Sequence, residues 1–286
     1  MTRYIRLLSI ILMLQFFGIN ACTGSKVDQD EIKKANQFFE SIFQDRVLDS
    51  PEFQSRLGYK SNYDQWDDIT YKRSRKNSRQ AIFDLDYLNE NINIEKLDSK
   101  TAISYRLMAK SLERRIDSDD FLFRQYLVTH RGGKHSSIPS FLINYHAVED
   151  ERDIQDYIGR LRNIEPLIED LIKEMSLREE VGTIAPMFVY PKAIAVSKNI
   201  ISGYPFDEGK KQNVIYEDLV KKIDATDLTD AVKLRYKSEA EAILVTTVNY
   251  AYRSFIDFLS LPGVYLVRNK RRPKPPAVRL SLDLLR

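Results

Sequence analysis

Cysteine is all but missing from this chain: Cys22 is the only one in 286 residues. A lone thiol cannot form an internal disulfide, so a disulfide-stapled scaffold is excluded. Glycine and proline are scarce, at ten each, which argues against turn-rich β architecture and for long regular elements. Histidine is limited to His130, His135 and His146. None falls in H-E-x-x-H, the spacing that sets two imidazoles on one helical face with a glutamate beside them as base. There is no G-x-S-x-G nucleophile elbow and no P-loop. Convincing strand alternation, internal repeats and low-complexity linkers are missing from the body.

What is present is globular in composition. Hydrophobic residues make up 43% and charged residues 30%, enough to bury a core over this length. The first residues have a different character. Arg3 and Arg6 precede a nearly continuous apolar run from Leu7 to Ile19. That run fits the core of a signal peptide and is too short to span a bilayer comfortably. It ends at Ile19-Asn20-Ala21-Cys22, which looks like a lipobox, although Asn20 departs from the usual residue at its position. The sequence therefore predicts a signal peptide over 1–21 and lipidation of Cys22. The acyl chains would hold an exported protein on the cell envelope, each buried methylene contributing roughly 0.8 kcal/mol. No Asp follows Cys22, so outer-membrane sorting stays open. The plainer alternative is a secreted protein cleaved near Ala21.

The formal net charge of +3 is unevenly spread. The last stretch, 268–286, carries seven basic groups against Asp283, and Arg3 and Arg6 add two more. The body, 22–267, is therefore net acidic, and nucleic-acid binding is not expected. The basic, proline-containing tail has three readings. It is a patch for anionic lipid or nucleic acid, a solvated terminus, or a non-native segment created by a frame shift.

Helical periodicity dominates the body. Ile32, Ala35, Phe38, Phe39, Ile42 and Phe43 share one helical face, as do Ala102, Tyr105, Met108, Leu112 and Ile116. Ile154, Tyr157, Ile158 and Leu161 make a third stripe. Pro166 is placed to open the next helix, with Ile168, Leu171, Ile172 and Met175 on its inner face and Gly182 as its stop. A further helix is expected over 186–201. The longest helix is expected over 228–259, with its second half apolar nearly all round and in need of partners on every side. Phe121 to Val128 reads equally as strand or helix. The fold class is thus all-α, a multi-helix array.

Candidate chemistry is thin. His146 and Glu149 are three apart, but two ligands make a poor zinc site, and a surface or capping role is the simpler reading. His130 and His135 flank Arg131-Gly132-Gly133-Lys134, which reads as a turn. Asp67 and Asp68 are expected to cap a helix before Ile69. Trp66 with Tyr59, Tyr63 and Tyr71 could stack a ligand, with core packing the stronger reading. Catalytic, cofactor-binding and metal-ligating residues are not identified; the one modification site is Cys22.

Three segments carry a family resemblance. SPEFQSRLGYKSNYDQWDD, Ser50 to Asp68, has a Pro, a Leu-Gly and a Trp-Asp-Asp step. The block from Asp153 to Ile194 has Tyr157, Arg160-Leu161, Pro166, Gly182 and Pro186. AYRSFIDFLS, Ala251 to Ser260, is the end of a long helix. Together they resemble the N-terminal half of the bacterial domain of unknown function 885, from about Asp28 to Ser260. The resemblance implies all-helical, often lipid-anchored relatives of zinc metallopeptidases, whose H-E-x-x-H helix lies further along the chain. None of those ligands has a counterpart here. The implied reading is an N-terminal fragment, inactive by itself, with zinc and a peptide substrate belonging only to full-length relatives. The alternative is a complete, non-catalytic helical lipoprotein that binds a partner or ligand.

Overall fold

The computed structural model describes residues 27–209 and 211–260. The signal segment, Cys22 and the basic tail lie outside the described residues.

The chain is an array of eleven described α-helices with one very small two-stranded hairpin. α1 (Gln29–Leu48) starts at Asp28, whose carboxylate accepts from the amides of Asp30 and Glu31. α2 (Pro51–Arg56) has Pro at its start and Ser50 as N-cap. α3 (Tyr71–Asn91) and α4 (Ser99–Ser118) are capped by Thr70 and Asp98. They pair antiparallel: Arg75 meets Asp119 near one end, and the Tyr105 hydroxyl donates to Asn89 Oδ1 at 3.0 Å near the other. α1, α3 and α4 share a core of Ala35, Ala81, Leu88, Ile92 and Leu112, with Phe38, Phe39 and Met108 packed against it.

The larger core belongs to the remaining helices. α5 (Lys134–Tyr145), α6 (Glu151–Arg162), α7 (Ile164–Glu180) and α8 (Val189–Ile200) are followed by α9 (Val214–Asp224), α10 (Asp230–Ile243) and α11 (Asn249–Ser260). They enclose Ile138, Leu142, Ile154, Tyr157, Leu161, Ile168, Leu219, Leu244, Val248 and Phe255. Glu174 joins the two cores. It is buried in an ion pair with Arg178 at 2.7 Å and accepts the Tyr71 amide at 2.8 Å, at the head of α3.

Several expectations shift in detail. Pro166 sits third in α7, which opens at Ile164; the first turn needs no amide donors, so Pro is tolerated there. Gly182 does stop that helix, at φ +82°. Its amide donates to Glu179 O at 3.0 Å and that of Thr183 to Arg178 O at 2.8 Å, a Schellman closure that favours glycine. Phe121–Val128 is neither long strand nor helix. A 3₁₀ turn over Asp119–Arg124 leads to β1 (Val128–Thr129), which pairs with β2 (Gly132–Gly133). The turn read at Arg131-Gly132-Gly133 is thus a tight hairpin.

The long C-terminal helix is interrupted. Between α10 and α11 lies a π turn, Leu244–Val248. The cause is legible in the apolar row Val232, Tyr236, Ala240, Leu244, Val248, which repeats every fourth residue. An α-helix has 3.6 residues per turn, so such a row drifts around the helix. A wider π turn returns it to the core. α11 then buries Ala251, Tyr252, Phe255 and Leu259 against α7 and α8 while Tyr250 stays exposed. The expected all-round apolar helix is therefore a one-sided one: Arg253 and Asp257 face outward beside Tyr250.

Candidate functional site

Two features could carry function: a buried cluster around Arg160 and an open groove on α1, α3 and α4.

Arg160 is fully buried on α6. A guanidinium carries five donors in a fixed plane, and burial demands that they be matched. Nε donates to Gln65 O at 3.0 Å, Nη2 to Ser55 Oγ at 2.6 Å and Nη1 to His146 Nδ1 at 2.9 Å. The rings of Tyr63, Trp66 and Phe141 lie 5.0, 5.7 and 4.9 Å from its carbon, close enough for cation–π attraction. Trp66 Nε1 donates back to Arg160 O at 3.0 Å. Burial lowers the Arg160 pKa to about 10, so the side chain stays charged at neutral pH.

His146 is the partner that fixes this arrangement. Because Nδ1 accepts from Arg160, its proton resides on Nε2, which donates to Asp153 O at 3.0 Å. Its ring is stacked on Tyr63 at 4.0 Å. Burial first, and then the Arg160 charge, lowers its pKa to about 3. His146 does follow the last residue of α5, but it is wholly buried, so the surface reading of this residue gives way to a core one. Nearby, buried Asp153 takes the Lys60 ammonium at 2.7 Å, and Lys60 also meets Glu149 at 2.8 Å. Burial opposes the Lys60 charge, but the hydrogen bonds it donates to both carboxylates outweigh this and its pKa is raised.

Trp66 and Tyr63 pack in the core, while Tyr71 leans on Phe123 at 4.3 Å and Tyr59 is half exposed. Asp67 does cap a helix, but α2 rather than the one that follows: it accepts from the Glu52 amide at 2.9 Å and from the Ser50 hydroxyl. Asp68 accepts from the Thr70 amide at 2.9 Å, just before α3. Lys134, on α5, pairs with Glu52. The result is an interlock: the segment Ser50–Asp68 is bolted to α5 and α6 through Arg160, His146 and Lys134. It holds two parts of the fold together.

The histidines do not make a metal centre. His146 already has a guanidinium on one nitrogen and a carbonyl on the other. His135 is fully buried against Phe255, with both ring nitrogens unpaired and burial lowering its pKa to about 4. His130 is exposed beside Phe188. Among the described residues no group of three His, Cys, Asp or Glu could hold a metal ion.

The groove is the more open feature, with a volume of about 460 Å³, within the usual range for a small-molecule site. α4, which packs on both α1 and α3, forms its base. Phe39, Ile42, Leu107, Met108 and Leu112 give it an apolar lining, and Asp45, Asp84 and Arg115 stand around it. Burial, aided by the charge of Asp45, raises the Asp84 pKa. Phe39, Ile42, Met108 and Leu112 belong to the helical stripes legible in the sequence, but the groove itself depends on how far α1 and α3 stand apart.

Comparison with known proteins places this geometry. No curated protein matches the chain. A crystal structure of a protein described as a candidate lipoprotein from Colwellia psychrerythraea has the same fold, with a TM-score of 0.65 at 17% sequence identity. The match covers 85% of this chain but 42% of that one, so this chain spans less than half the length of that protein. The model of the family described as "Bacterial protein of unknown function (DUF885)" matches residues 51–276, a stretch that includes the Trp66–Arg160 interlock, and the chain belongs to that family.

Proposed function

We propose that this protein is an exported lipoprotein, anchored through lipid on Cys22, whose helical body corresponds to the N-terminal part of a longer zinc-peptidase-like protein. In this reading 1–21 is the signal peptide, 22–267 is the helical body and 268–286 is a basic tail. The body contributes scaffold and binding surface, and the metal chemistry belongs to the part of longer relatives that it does not span. The observation that carries the reading is the asymmetry of the structural match, which takes in most of this chain and well under half of the solved protein. The description of that protein as a lipoprotein supports the anchor. Among the described residues no helix is long and apolar enough to cross a membrane.

The anchor is tested by metabolic labelling with a fatty acid. The wild-type chain should incorporate label and fractionate with membranes, and Cys22→Ser should do neither. Label-free wild-type protein in the soluble fraction would refute it.

A further inference from the structure

The groove between α1, α3 and α4 is bounded at both ends. At one end Phe38 packs against Tyr87 in a tilted ring pair, centroids 4.5 Å apart. At the other Arg73 reaches from α3 to Asp49, the residue that caps the end of α1, at 3.3 Å. The two stops, Phe38 and Asp49, are eleven positions apart, which at the helical rise is roughly 16 Å of groove. Ser104 and Ser111 add little bulk to its lining, and Leu107 at its edge is 66% exposed. This shape suits one extended apolar chain better than a compact ring system.

Its charges are unequal. Three carboxylates, Asp45, Asp49 and Asp84, face two guanidiniums, Arg46 and Arg115. Two of these five are already engaged: Asp49 with Arg73, and Arg46 over the Phe53 ring at 5.4 Å. Asp84 accepts a hydrogen bond from the Gln80 amide at 2.9 Å and makes no ion pair among the described residues. It is partly withdrawn from water and feels the charges of Asp45 and Arg115. A carboxylate in that position gains from an incoming cation and loses from an incoming anion.

We propose that this groove binds a cationic amphiphile, an unbranched aliphatic chain ending in an ammonium group. The chain lies along Phe39, Ile42, Leu107 and Met108, and the ammonium meets Asp84 and Asp45. The site is independent of whether the chain carries lipid on Cys22 or corresponds to part of a longer protein.

The test is calorimetric titration of the purified full chain with hexyl-, octyl-, decyl- and dodecylammonium, each below its micelle concentration. The matched alkyl carboxylates and alcohols serve as controls. One ammonium should bind per chain, with affinity rising roughly threefold to fourfold per methylene and then levelling off once the groove is full. It should exceed the matched carboxylate by roughly tenfold. Asp84→Asn should reduce that preference to about twofold while the alcohol binds unchanged. Ser111→Phe should fill the groove and abolish binding of all three classes with circular dichroism unaltered. Carboxylates binding as well as ammoniums, affinity that Ser111→Phe leaves intact, or no stoichiometric binding by the folded chain would each overturn the proposal.

Discussion

Replacing Arg160 by Met tests the interlock, because Met keeps much of the length and volume and removes every donor. Three acceptors, Gln65 O, Ser55 Oγ and His146 Nδ1, lose the guanidinium, and the last two of these bonds are buried. Each unpaired acceptor costs about 1 to 2 kcal/mol. Loss of the cation between Tyr63, Trp66 and Phe141 removes about 1 kcal/mol more. Relief from burying a charge works in the other direction by several kcal/mol at most. The acceptors outnumber the single charge, so the expected net destabilisation is about 3 kcal/mol. Urea unfolding followed by tryptophan fluorescence reads this directly: Trp66 is the only tryptophan and lies against the guanidinium. Arg160→Lys should recover little, since one ammonium cannot reach three separated acceptors. In a cycle with His146→Phe the coupling should be at least about 1 kcal/mol. If Arg160→Met matched or exceeded the wild type in stability, the buried cation would be a burden and the reasoning would fail.

Other expectations follow from the same structure. His135 and His146 have pKa values lowered to about 4 and about 3, below the ordinary value near 6.5. The unfolded chain therefore binds more protons between those limits. Stability should be full above about pH 6.5 and fall on acidification toward pH 3 to 4, with proton uptake measurable from unfolding against pH. His135→Phe should remove part of that acid sensitivity. At neutral pH it should be neutral or stabilising by up to about 1 kcal/mol, because it replaces two unpaired buried nitrogens beside Phe255. Gly159→Ala should destabilise by about 1 to 2 kcal/mol in urea titration despite alanine's better helix propensity. The added Cβ would stand 2.8 Å from Asp64 Cβ, where α6 meets the loop before Trp66. Gly182→Ala should cost about 1 kcal/mol by the same assay through its positive φ.

The helices were readable because apolar residues at three and four apart can only be buried on one side. The caps at Asp28, Ser50, Asp98 and Asp150 are local hydrogen bonds that short stretches of sequence decide. The interlock was much less legible. Arginine is normally exposed, and the residues that justify burying this one come from 105, 95 and 14 positions away. The signal that could have found it was the coincidence of Trp66 and Arg160 within the family-like segments. A capping place for His146 fits the helix end at Tyr145, whereas its burial depends on contacts with Tyr63 and Arg160 that spacing does not show. The π turn had a signal in the four-residue repeat of the last long helix, which an unbroken α-helix could not satisfy.

The account as a whole turns on whether this chain holds metal chemistry of its own. Zinc content of the purified full chain, measured by elemental analysis alongside peptide hydrolysis with and without a chelator, tests this most directly. The account predicts well under one zinc per chain and no chelator-sensitive hydrolysis. One tightly held zinc per chain, or hydrolysis that a chelator stops, would contradict it.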